Sequence, residues 1–160
     1  MTQAEAVVAA AKSQLGYKEG VNNDTIFGKW WGLNHQPWCA MFVSWCFAQA
    51  AAVQLIEAQG SKGFAGCEAM ESWAKKKKMI VKTEKVQAGD ILLYDFTKAG
   101  KAVHTGIAIG GINPNTHLID AIEGNTAGDN LGSQANGDGV FLKHRALTTV
   151  RAVIRPNWSK

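Results

Sequence analysis

At 160 residues with a 46% hydrophobic fraction, the chain suffices for one domain, residues 1–160, with a substantial core, and its composition excludes disorder. No stretch approaches the roughly 18–20 consecutive apolar residues of a membrane span, so membrane insertion is not expected. A formal charge of +4 suits an anionic polymer, but basic and aromatic residues are not interleaved as base stacking requires, so nucleic acid is not expected either.

The opening Met1-Thr2-Gln3-Ala4-Glu5 lacks a basic segment and an apolar core, and does not read as a secretory signal. Thr2 to Leu15 predicts a helix. Thr2 and Glu5 have capping-box spacing, Val7, Val8, Ala11 and Leu15 form an apolar stripe, and Gly16 stops it. Residues 17–36, with Asn22-Asn23-Asp24, two tryptophans and several glycines, predict a long structured loop. Trp38 to about Glu57 predicts a central, buried helix, apolar nearly all round as far as Gln49. Gly60-Ser61-Lys62-Gly63 ends it, and Glu68 to Lys78 predicts a third helix. Lys75-Lys76-Lys77-Lys78 is read as its solvated end.

The pattern then changes to short runs rich in β-branched and aromatic residues. Ile91–Tyr94, Val103–Ile109, Leu118–Ile122, Val140–Lys143 and Val150–Ile154 predict strands, separated by glycine-rich turns. Helices first and strands second indicate an α+β fold with N-terminal helices packed on a C-terminal, mostly antiparallel sheet.

Cys39 opens the apolar helix. A thiol at a helix N-terminus meets free N–H groups and the positive end of the dipole, which favour thiolate. Taken alone, Cys39 reads first as a small buried apolar residue. Three cysteines are an odd number. Cys39 and Cys46 lie two turns apart on one helix, about 10 Å, too far for a disulfide. The set is read as reduced, with Cys46 and Cys67 as packing residues.

A cysteine hydrolase needs a base and a group that orients it. His104 begins a strand, on rigid backbone. His35, in the loop before Cys39, is the rival base and otherwise an edge-of-cleft residue. Glu123 and Asn125, two apart on an extended strand, point to one side and are within reach of the same imidazole. Trp30, Trp31 and Trp38 read as packing or as a cleft wall, with Trp38 the best candidate for contact with substrate. The Cys39 N–H is the expected oxyanion donor, with Gln36 or Asn34 as the second.

Four segments stand in order: Gln36-Pro37-Trp38-Cys39-Ala40-Met41-Phe42-Val43-Ser44-Trp45, Gly89-Asp90-Ile91-Leu92, His104-Thr105-Gly106 and Glu123-Gly124-Asn125-Thr126. Together they resemble the CHAP family, the cysteine, histidine-dependent amidohydrolases/peptidases, over residues of about 13 to 145. The resemblance implies a papain-like fold and amide hydrolysis in bacterial peptidoglycan, as muramoyl-L-alanine amidase or stem or cross-bridge endopeptidase. By the same resemblance Cys39 is the nucleophile, His104 the base and Glu123 its orienting group, with Asn125 beside them; Gly89-Asp90 is a structural turn. Trp38, Gln36 and His35 are the substrate-contact candidates.

No cofactor is expected. Some phage members carry a calcium loop before the nucleophile, but no acidic residues spaced at two lie between Gly28 and Cys39, and calcium is not supported. The expected molecule is a monomeric phage lysin, made in the host cytoplasm and reaching the wall through a pore or on lysis. The competing expectation is a non-catalytic wall-binding or interaction domain on the same scaffold.

Overall fold

The computed structural model describes residues 1–158. Helix α1 (Gln3–Ser13) starts at the Thr2 cap, whose hydroxyl accepts from the Glu5 N–H while Glu5 reaches back to the Thr2 N–H. Helix α2 (Ile26–Trp31) lies inside the stretch expected to be a loop. Thr25 caps it through the Gly28 N–H, and Gly32, at φ 94°, ends it. Helix α3 (Cys39–Gln49) stops earlier than expected, because the chain turns at Ala50–Ala51 into a 3₁₀ turn at Val53–Ile56. Helix α4 spans Cys67–Lys76, and Lys75 to Lys78 are exposed at its end, as expected of a solvated terminus.

Six strands follow: β1 (Ile80–Val81), β2 (Ile91–Tyr94), β3 (His104–Ala108), β4 (Ile119–Thr126), β5 (Gly139–Arg145) and β6 (Val150–Ile154). They form one sheet in the order β1-β6-β2-β3-β4-β5, with every adjacent pair antiparallel among the described residues. The fold is α+β with the expected antiparallel sheet, and β1 is an additional, two-residue edge.

Both faces of the sheet are covered. Ile91, Leu93, Ile107, Ile122 and Ile154 belong to the main core with α1 and α3. Leu92, Tyr94, Ala108, Ala121 and Val153 form a smaller core with Val86 and Ile119. Helix α3 is apolar nearly all round because it is central: eight of its residues, from Cys39 to Phe47, are buried. The loop before it is held by aromatic packing. Phe27 of α2 stacks on Trp38 at 5.4 Å and meets Phe42 and Trp45 edge-on.

Two glycines set how closely helix and strands approach. At Gly124, an added Cβ would lie 2.6 Å from Trp38 Cζ3 and 2.8 Å from Phe42 Cβ. At Gly106 it would lie 2.4 Å from Glu123 Cγ, since the β3–β4 register sets Glu123 opposite Gly106. The expected structural turn at Gly89-Asp90 is present. Gly89 has φ 90°, and buried Asp90 accepts from the Gln87 N–H and from Arg155.

Candidate active site

Cys39 is the first residue of α3. The preceding Trp38 offers no side-chain cap, so the first N–H groups of the helix stay unspent at the thiol. Cys39 is 7% exposed and lines a cleft of about 540 Å³ with Pro37, Cys67, Lys101 and Val103. A larger hollow of about 620 Å³, between Lys18 and Phe141, contains none of the residues of this site and is bridged by the Lys18–Asp138 ion pair. Cys39 opens onto the smaller cleft, which ends at Val103, the residue before His104.

His104 begins β3 and is fully buried. Its ring lies against Tyr94 at 5.7 Å and Phe96 at 5.9 Å between centroids, which fixes its plane. Nε2 is 2.9 Å from Glu123 Oε1. Nδ1 is buried without a hydrogen bond of ordinary geometry and is the nitrogen left for Cys39. Such contacts are often long before substrate binds. Proximity to Glu123 therefore assigns the ring its orientation.

Glu123 is held in turn by Arg145. Arg145 Nε donates to Oε2 at 2.9 Å and Nη2 to Oε1 at 2.5 Å, a two-pronged grip on a buried carboxylate. The guanidinium also lies over the rings of Tyr94 and Phe96. Arg145 was not among the residues expected from the sequence. Its only sequence signal was a cation ending a strand, which does not reveal the carboxylate it meets four strand positions along on β4.

The charges follow this geometry. Hydrogen bonding from Cys67, then from His104 and the Ala40 N–H, holds the Cys39 thiol well below its usual range, against burial that disfavours charge. Burial lowers the affinity of His104 for a proton, but the neighbouring Cys39 and the bonded Glu123 outweigh it and raise its pKa to about 9. Burial likewise opposes charge on Glu123, and Arg145 and His104 overcome it, bringing Glu123 to about 2. The shifts favour thiolate on Cys39, imidazolium on His104 and carboxylate on Glu123.

Four expectations need correction. Asn125 does not reach the imidazole. Its φ of 56° and a register shift between Glu123 and Thr126 break the strand alternation, and its amide donates instead to Ala135 O and Asn136 Oδ1 at 3.4 and 3.5 Å. Trp38 is fully buried, with its indole N–H on Glu19, so it is core rather than cleft wall. His35 is exposed with Nδ1 on the Asn22 carbonyl, and Gln36 is exposed and does not line the cleft. Cys67, half-buried at the start of α4, packs against the main core as expected, and it also lines the cleft beside Cys39. Cys46 is buried as expected.

Asn34 is also unavailable as an oxyanion donor, because its amide is engaged by Asp24 Oδ1 and the Thr25 N–H. Trp30 and Trp31 clasp the Lys62 loop rather than the cleft, through Lys62 Nζ to Trp30 O and Trp31 Nε1 to Lys62 O. Among the described residues, no three His, Cys, Asp or Glu side chains are grouped so as to hold a metal ion. Asp24, in the loop before α3, is occupied by Asn34 and Lys29.

A protein-family model described as the CHAP domain matches residues 30–125 of the chain, from α2 to β4. No curated protein matches it.

Proposed function

The chain belongs to the CHAP-domain family, and from that premise we propose that it hydrolyses an amide bond of bacterial peptidoglycan through a thioester on Cys39. The observation that carries this reading is the buried Arg145–Glu123–His104 chain of contacts ending at a thiol on an uncapped helix start. A structural cluster has no need of a thiolate, whereas a nucleophile does.

The steps follow from the charges. The Cys39 thiolate attacks the amide carbon, and the carbonyl oxygen takes up the electron pair. The Cys39 N–H, free at the helix start, faces the developing oxyanion. The His104 imidazolium gives its Nδ1 proton to the departing amine, leaving a thioester. Neutral His104 then takes a proton from water, which attacks the thioester and releases the acid, restoring thiolate and imidazolium. Glu123 holds the ring through Nε2 and stabilises its positive charge throughout; Arg145 holds Glu123.

Cys39→Ala tests the assignment. The variant keeps the fold, because alanine fills most of the thiol's space, and its clearing of a purified wall suspension falls by about 10³-fold or more. Undiminished clearing by folded Cys39→Ala overturns it. Iodoacetamide labelling separates an enzyme from a passive wall-binding domain, since only an enzyme requires Cys39 to react far ahead of Cys46. Mass spectrometry of the wall fragments then identifies the bond. Free stem peptides mean an amidase, and cut stems or bridges mean an endopeptidase.

A further inference from the structure

Two thiols, not one, face the cleft. Cys39 begins α3 and Cys67 begins α4, and both line the same 540 Å³ space. Both are free, not disulfide-bonded. Cys67 is half-buried, so a small solute entering the cleft meets both sulfurs. Glycines at 60, 63 and 66 precede Cys67, two of them at positive φ, and Gln59 Oε1 anchors the backbone just before it through the Ala65 and Gly66 N–H groups. Cys46 provides an internal contrast: it is wholly buried within the main core and outside the cleft.

We propose that Cys67 is a resolving thiol for Cys39, so that a hydroperoxide converts the pair into a Cys39–Cys67 disulfide and switches the enzyme off reversibly. The inference rests on the reading of Cys39 as the reactive thiol. Thiolate Cys39 attacks the terminal peroxide oxygen, the O–O bond breaks, alkoxide (hydroxide for hydrogen peroxide) leaves, and Cys39 becomes sulfenic acid. Cys67 gives its proton to that leaving group, its sulfur attacks the Cys39 sulfur, and the sulfenic oxygen departs as hydroxide and takes the His104 proton to become water. In sum, two thiols are oxidised to one disulfide and one hydroperoxide is reduced to water and its alcohol, or to two waters for hydrogen peroxide.

The electrostatics favour this order. The neighbouring Cys39, with burial, pushes the Cys67 thiol well above its usual range, while Cys39 itself is held well below. Neutral sulfenic acid removes the Cys39 charge, and Cys67 is then free to ionise. Without a second thiol, sulfenic acid proceeds to sulfinic acid, which reducing agents do not reverse. Cys67 thus protects the nucleophile during exposure to oxidant.

The test treats the purified full chain with excess hydrogen peroxide. Wild type loses about 2 Da, trypsin releases peptide 30–62 joined to peptide 63–75, and dithiothreitol restores wall clearing to its untreated rate. Cys67→Ser, compared with its own untreated rate, gains about 32 Da at Cys39 and does not recover with dithiothreitol. A wild type that gains sulfinic acid at Cys39 without the joined peptides overturns the proposal, as does a Cys39–Cys46 link within peptide 30–62. So does Cys67→Ser that recovers like wild type. The joined peptides are read by mass and need no activity. Protein that never clears walls therefore fails the hydrolase reading alone, and active protein without the link fails this proposal alone.

Discussion

His104 and Glu123 hold a charge pair with no access to solvent, and its pH behaviour follows from two shifts. His104 is raised to about 9, so its contribution to stability is complete below its ordinary value near 6.5 and is lost as pH rises through 9. Glu123 is lowered to about 2, so its contribution is complete above about 4.5 and is lost as pH falls through 2. Thermal denaturation should give a stability plateau between about pH 5 and 6.5, with decline on both sides. The alkaline limb of kcat/KM should lie near pH 9, where the imidazolium loses the proton it gives to the leaving amine. A limb near 7 would place His104 outside this role. Glu123→Gln removes the partner of both His104 and Arg145. It should cost about 3 kcal/mol by stranding a buried guanidinium. It should also lower kcat by about 10²-fold or more in the fraction that stays folded, read by urea denaturation and wall clearing in parallel.

At the scale of elements, the glycines of the two motifs are clearances. Gly124→Ala would drive a methyl into Trp38 and Phe42 and should cost about 1–3 kcal/mol by separating α3 from β4. Gly106→Ala meets the Glu123 side chain first, at 2.4 Å, and the Ile122 carbonyl oxygen at 3.2 Å, so it should displace the carboxylate, with a larger loss of kcat than of thermal stability. Equal losses in the two variants would argue against that division. These clearances were invisible in the sequence, although the motifs that contain them were not. α1, β2 and β6 were legible because capping chemistry and β-branched runs act locally. α2 was not, because six residues give no full helical period and the neighbouring asparagines and glycines read as loop. α3 was overextended because Ala51 turns the chain at φ 54° without a glycine or proline to announce it. Cys39, His104 and Glu123 were legible as a pattern of residue types, and the structure brings them together. Arg145 and Cys67 were not, since each meets its partner across a sheet or between two helices. Asn125 was misread because strand alternation fails at the register shift.

For the whole molecule, the excess of +4 belongs partly to Lys75–Lys78, exposed at the end of α4, where Lys75 pairs with Glu71 and Lys76 to Lys78 face solvent. If charge assists encounter, the clearing rate should fall severalfold as salt rises from about 0.05 to 0.5 M, where screening shortens to a few ångströms. Rates independent of salt would remove charge from the encounter. A second consequence lies in the order of the strands. β6, the last strand, sits between β1 and β2, and β2 pairs with β3, where His104 stands. A chain emerging from a ribosome therefore leaves β2 with one bare edge until residue 154 has been made. The sheet that carries His104 stays incomplete during synthesis, and a stop codon anywhere before position 150 should yield an aggregation-prone fragment rather than a partly folded domain.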